Sequence, residues 1–104
     1  MDRLFAYGTL LGHGSMRGII GRRPRSRPAT LPGFRTVAHP NGPWLLALPD
    51  PGGRILGRLF EGLEPEEIRA LDEYEGVREG LYRRSMETVQ VGRERLQAWA
   101  YIKV

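Results

Sequence analysis

One glutamate in this chain stands where carboxylates are normally disfavoured. Pro65 fits the first turn of a predicted helix, and Glu66 and Glu67 load that turn with negative charge. Ile68, Leu71 and Glu75 recur on one face, and Gly76 is suited to end the helix in the left-handed conformation. Glu75 therefore meets the negative end of the helix dipole on a face that points to the core. Both effects disfavour its charged form and raise its pKa. A carboxyl group poised near the working pH suits general acid–base catalysis. The alternative is a side chain that turns outward at a frayed helix end.

The second constellation is Tyr7-Gly8-Thr9-Leu10. A strand that runs into a glycine loop can turn successive backbone N–H groups toward one point, which binds an anion or a developing oxyanion. An ordinary strand-to-loop turn has the same pattern. No Gly-Lys-Ser/Thr follows, so the segment is not a phosphate-binding P-loop. His13 and His39 lack metal-ligand spacing, and Ser15 lacks the partners of a hydrolytic triad. Trp44, Trp99 and Tyr101 read as core aromatics. Arg22, Arg23, Arg25 and Arg27 read as a solvated surface, with phosphate binding as the alternative.

These residues need elements to hold them. The run 4–7 reads as a buried first strand, residues 8–15 as a glycine-punctuated loop, and 16–28 as a solvated loop with a helical turn near 16–20. Residues 29–38 read as a strand interrupted at Pro32-Gly33, and 39–43 as a turn. The run 44–48 reads as a strand closed by Pro49-Asp50-Pro51-Gly52-Gly53, with 54–60 as its hairpin partner. After the helix come strands over 82–91 and 96–104, joined by a turn over 91–95. In the last strand Leu96, Ala98, Ala100, Ile102 and Val104 alternate with Gln97, Trp99, Tyr101 and Lys103. Several short strands and one clear helix predict an α+β fold built on a small closed or strongly curved sheet.

With 104 residues, the chain has the length of one domain, 1–104. It has no cysteine, which excludes disulfides and thiolate chemistry and fits the cytoplasm. No apolar run is long enough for a membrane helix, and the start Met1-Asp2-Arg3 does not read as a signal peptide. The net charge of +4 comes almost wholly from arginine, Lys103 being the only lysine. So modest a charge reads as surface composition before it reads as a nucleic-acid footprint.

Leu4-Phe5-Ala6-Tyr7-Gly8-Thr9-Leu10 resembles the N-terminal "YGTL" signature of the γ-glutamylcyclotransferase-like (AIG2-like) superfamily. Leu71-Asp72-Glu73-Tyr74-Glu75-Gly76, followed by Leu81-Tyr82-Arg83-Arg84, resembles its second signature. The resemblance spans residues 4 to about 102, and the two motifs stand in the family's order. It implies a β-barrel-like α+β fold, Glu75 as the acid/base residue, and Tyr7, Gly8, Thr9, Leu10 and Tyr82 as substrate-binding residues. The stretch Val77-Arg78-Glu79-Gly80 makes the interval from Glu75 to Tyr82 about one residue longer than the family's pattern. The implied reaction is attack of a γ-glutamyl substrate's α-amino group on its own γ-carbonyl. It yields 5-oxoproline and a free amine or amino acid, without a metal or organic cofactor. Thr9 in the first signature leans toward the γ-glutamylamine branch. The implied partner is a small γ-glutamyl molecule, with no membrane and no nucleic acid. The competing readings are a non-catalytic small-molecule binding domain on the same fold and a basic nucleic-acid-binding β-barrel.

Overall fold

The computed structural model describes residues 1–11 and 15–104, with Thr9 and Leu10 described by their backbone alone. The expectations for His13 and for the end of the glycine loop lie outside the described residues. Strand β1 is Asp2–Ala6, followed by a 3-10 turn over Gly8–Leu11 where a loop is predicted. Helix α1 (Ser15–Ile20) precedes strands β2 (Ser26–Ala38) and β3 (Leu45–Leu63). Helix α2 (Pro65–Glu75) and strands β4 (Tyr82–Val91) and β5 (Glu94–Lys103) complete the chain. The strands close into a ring in the order β1-β3-β2-β4-β5. All neighbours are antiparallel except β1 and β5, which meet parallel at Leu4 and Trp99. The expected α+β fold with a small closed sheet is the one observed.

The principal departure is β3. Its turn-rich middle predicts a hairpin, yet both halves pair with the same neighbour, β2: Phe34 stands opposite Pro49 and Pro32 opposite Arg54. Residues 50–53 thus form an excursion in one long strand, facing the irregularity that β2 makes at Gly33. The prolines and glycines lengthen and bend the strand without reversing it, because 13-residue β2 offers a continuous partner on both sides of the kink. The same pairing draws Ser26, Arg27 and Pro28 into β2, where the sequence predicts loop.

Apolar residues bury on both sides of the sheet. Phe5, Leu31, Leu59, Val89, Ala100 and Ile102 fill the barrel interior. Leu4, Phe60, Leu63 and Tyr101 point outward and are covered by Met16 of α1 and by Ile68 and Leu71 of α2. The helical turn expected near 16–20 is present as α1, but Met16, expected in solvent, is 0 % exposed. Short α1 is held by that contact, since six residues form no stable helix alone. Two-sided burial also explains β1, whose consecutive Leu4, Phe5 and Ala6 serve both layers.

Two of the clustered arginines have carboxylate partners, and the Arg23 guanidinium lies 5.5 Å from the Phe60 ring centroid. Arg22 bonds both carboxylate oxygens of Glu67 at 2.7 Å, and Arg27 meets Glu61 at 3.0 Å. Arg22, Arg23 and Arg25 are exposed and Arg27 is partly buried. No helix among the described residues is long and apolar enough to cross a membrane.

Candidate active site

Helix α2 ends as its sequence predicts. Gly76 takes φ 69°, ψ 38°, a conformation costly for any residue with a Cβ, and its N–H bonds back to the last helical turn. The Leu81 N–H then bonds the Gly76 carbonyl at 3.0 Å. This tight return starts β4 at Tyr82, beside the helix end. The interval through Val77 and Gly80 is thereby absorbed in a turn, and Glu75 and Tyr82 share one cavity.

That cavity lies where β1, β3, β5 and the end of α2 converge. Its walls come from Phe5, Ala6 and Tyr7 of the first strand and its exit, Leu45 of β3, Glu75, Tyr82 and Tyr101. Its open volume is about 10 Å³, room for about one water molecule. Tyr7 points inward beside Phe5, with ring centroids 6.3 Å apart. Gly8 begins the 3-10 turn with φ 67°, at a point where a Cβ would reach contact with Leu45, a wall of the cavity. Thr9 and Leu10 continue that turn. The structure thus brings Tyr7, Glu75 and Tyr82 together and sets the backbone from Gly8 to Leu10 next in chain to Tyr7.

Burial pushes the Glu75 carboxyl up from 4.5 to about 7. Among the described residues no cation is recorded against it, so nothing offsets the cost of desolvating its charge. The three tyrosines stay neutral at physiological pH. Burial raises Tyr82 to about 12, helped by the nearby negative charge of Glu75. Tyr7 and Tyr101 also rise, burial being the largest cause in each. Each hydroxyl donates its hydrogen away from the carboxyl: Tyr7 to the Tyr101 carbonyl, Tyr82 to the Leu45 carbonyl at 2.7 Å, Tyr101 to Asp72 Oδ1 at 2.8 Å. The Tyr7 oxygen is also engaged by the Ala47 backbone N–H, and the Tyr82 oxygen, donating to Leu45, keeps its lone pairs for accepting. A titratable carboxyl group amid hydroxyl acceptors suits a substrate that brings a proton-bearing nitrogen.

Tyr101 and Leu45 escape the sequence reading as site residues. Tyr101 stands on the polar-looking face of β5, and only the cover of α2 makes that face buried. Trp44, read as core, is 44 % exposed, because it sits at the barrel rim just after the 39–43 turn. It borders a second, wider groove of about 400 Å³ that also includes Glu75 and Tyr82. His39 lies in that groove. Ser15 begins α1.

Residues 4–104 match the family described as "Gamma-glutamyl cyclotransferase, AIG2-like". AIG2-like protein D of Arabidopsis thaliana is 30% identical over 107 residues, covering 98% of this chain and 67% of that protein. A solution structure of an Arabidopsis thaliana protein superimposes with a TM-score of 0.87 at 23% identity, covering 99% of this chain and 68% of that one. A structure named gamma-glutamyl cyclotransferase gives a TM-score of 0.81 at 18% identity, covering 99% and 66%. The chain thus spans about two thirds of each of these relatives. With motifs, fold and sequence in agreement, the chain belongs to the AIG2-like γ-glutamyl cyclotransferase family and has a cyclotransferase-like role.

Proposed function

We propose that this protein is a cofactor-independent γ-glutamylcyclotransferase of the γ-glutamylamine type, with Glu75 as its proton-transfer group. The observation that carries the reading is the placement of Glu75: a carboxyl group raised to about 7, without a cation among the described residues, in the wall of a cavity that it shares with Tyr7, Tyr82 and Tyr101. The substrate's α-ammonium gives a proton to Glu75, and the freed amine attacks the γ-carbonyl carbon. The ring nitrogen then sheds a second proton as the bond to the departing nitrogen breaks. In total two protons pass from the α-nitrogen to the leaving amine, and Glu75 ends as the carboxylate it began as. Tyr7 and Tyr82 accept hydrogen bonds from the ammonium. Backbone N–H groups at Gly8, Thr9 and Leu10 hold the substrate carboxylate or the oxyanion. Ring closure is intramolecular, so holding the glutamyl chain bent supplies much of the acceleration. The cysteine-free sequence fits a reducing compartment, the cytoplasm.

The test is incubation of the purified protein with a γ-glutamyl amine and detection of 5-oxoproline. Stoichiometric release of 5-oxoproline and amine is the expected result. Binding without release would instead make the chain a non-catalytic ligand-binding domain.

A further inference from the structure

We infer that the groove running from Glu75 past Trp44, Tyr74 and Leu81 is the leaving-group subsite, and that it selects bulky apolar or aromatic amines over amino acids. This inference rests on the cyclotransferase reading above and specifies its substrate. Three observations carry it.

The groove is continuous with the reacting centre. Glu75 and Tyr82 line both it and the narrow cavity. The departing nitrogen must stand within reach of Glu75 to receive its proton, so whatever that nitrogen carries extends from this point. The narrow cavity has room for about one water, whereas the groove offers about 400 Å³. The bulk of a substrate has its space in the groove.

The surface of the groove is apolar where solvent would favour polar residues. Trp44, Tyr74 and Leu81 are 44%, 51% and 55% exposed. Large apolar side chains gathered around one concavity mark a binding surface, while single ones scattered over a protein do not. Trp44 is also held in place. Its ring lies directly over Gly42, where a Cβ would overlap the indole, and His39 meets it edge-on at 5.4 Å.

The charge pattern disfavours a carboxylate on the leaving group. Among the described residues lining the groove there is no arginine or lysine, and Glu75 stands at its inner end. The His39 Nδ1 is occupied as an acceptor, taking the Asn41 N–H at 3.0 Å. An α-amino acid leaving group would bring its carboxylate to an apolar wall near another carboxylate. An amine lacking that carboxylate meets no such repulsion, and an aromatic ring gains contact with the indole and phenol faces.

The experiment compares kcat/KM for 5-oxoproline release from γ-glutamyl methylamide, γ-glutamyl phenethylamide and γ-glutamylphenylalanine. The last two share a ring and differ by one carboxylate. Wild-type protein should prefer phenethylamide over each of the others by about tenfold or more. Trp44→Ala should bring the phenethylamide-to-methylamide ratio to within about threefold of one, and Trp44→Phe should restore most of it, as expected for a lost aromatic contact. Release at equal rates from all three substrates would overturn the subsite and leave the cyclotransferase reading intact. A ratio unchanged by Trp44→Ala would do the same. If the variant instead dissolves a dimer seen by sedimentation while selectivity persists, the groove is a self-association surface. Failure of all three substrates would overturn the cyclotransferase reading itself, and this inference with it.

Discussion

Helix α2 carries two carboxylates one turn apart, Asp72 and Glu75, and the protein treats them in opposite ways. Asp72 Oδ1 accepts Arg84 Nε at 2.8 Å and the Tyr101 hydroxyl at 2.8 Å, and the Arg84 guanidinium lies 4.1 Å from the Trp99 ring centroid. Its charge is compensated, and it ties α2 to β4 and β5. Glu75 has the same chemistry on the same helix, without a cation among the described residues, and burial raises it to about 7. The partner set, more than the residue type, assigns the role. A paired carboxylate holds structure together, whereas a buried one without a cation is the one that the proposed function uses as a proton carrier.

The largest effect is expected from Glu75→Gln. The amide preserves shape, so the fold should survive, checked by circular dichroism and melting. 5-Oxoproline formation should fall by about 10²–10⁴-fold, the usual contribution of a general acid–base group. Full activity in this variant would remove Glu75 from the chemistry and erase its contrast with Asp72.

Asp72→Asn should act on stability instead. It keeps an acceptor oxygen and loses the charge that strengthens two hydrogen bonds, so unfolding free energy should drop by about 1–2 kcal/mol in a denaturant titration. Turnover at a temperature where the variant is folded should stay within about tenfold of wild type. Abolished turnover at unchanged stability would transfer the proton role to Asp72.

A pH series separates the two carboxylates further. The wild-type rate should rise with pH through an apparent pKa of about 7, and Asp72→Asn should keep that limb. Stability has the opposite slope at this group. The carboxyl is raised in the folded protein, so folding favours its protonated form. That contribution is complete below about 4.5 and is lost as pH rises through about 7. Glu75→Gln should flatten this part of the stability profile.

The smallest effect is expected at the arginines remote from both carboxylates. Replacing Arg22, Arg23, Arg25 and Arg27 with serine should leave turnover within a few-fold. Arg22 bonds Glu67 in the first turn of α2 and Arg27 bonds Glu61, so the loss should appear as modest destabilisation. A hundredfold loss of turnover, about 2.7 kcal/mol, would reveal a substrate contact in that cluster.

Much of the site is legible in the amino-acid sequence because its signals are local. The bounds of α2 follow from Pro65, the Ile68–Leu71 face and Gly76, and the helix runs Pro65–Glu75. The inner face of β5 follows from simple alternation, with Ala98, Ala100 and Ile102 inside the barrel. Local signals mislead where an element depends on a distant partner. The prolines and glycines of 49–53 are turn residues by every local measure, and only continuous pairing with β2 converts them into a kink. Met16 reads as a solvated residue until the α1–α2 layer covers it, and Tyr101, read as a core aromatic, is buried on the outer side of the sheet by the same layer.

Residue type and short spacing are enough to place Glu75 at a helix end on its apolar face and Tyr7 at the end of a buried strand. They are also enough to keep thiols out of any chemistry here. The chain carries those properties without folding. That the two segments meet is a product of folding in three dimensions. So is the pairing of Arg84 and Tyr101 with Asp72, while Glu75 meets no cation among the described residues, and so is the groove that Trp44, Tyr74 and Leu81 line with the same carboxyl. Those outcomes depend on ring closure of five strands. Closure brings together groups as far apart in sequence as Tyr7 and Tyr101, and the desolvation it causes sets which carboxylate holds its proton near neutrality.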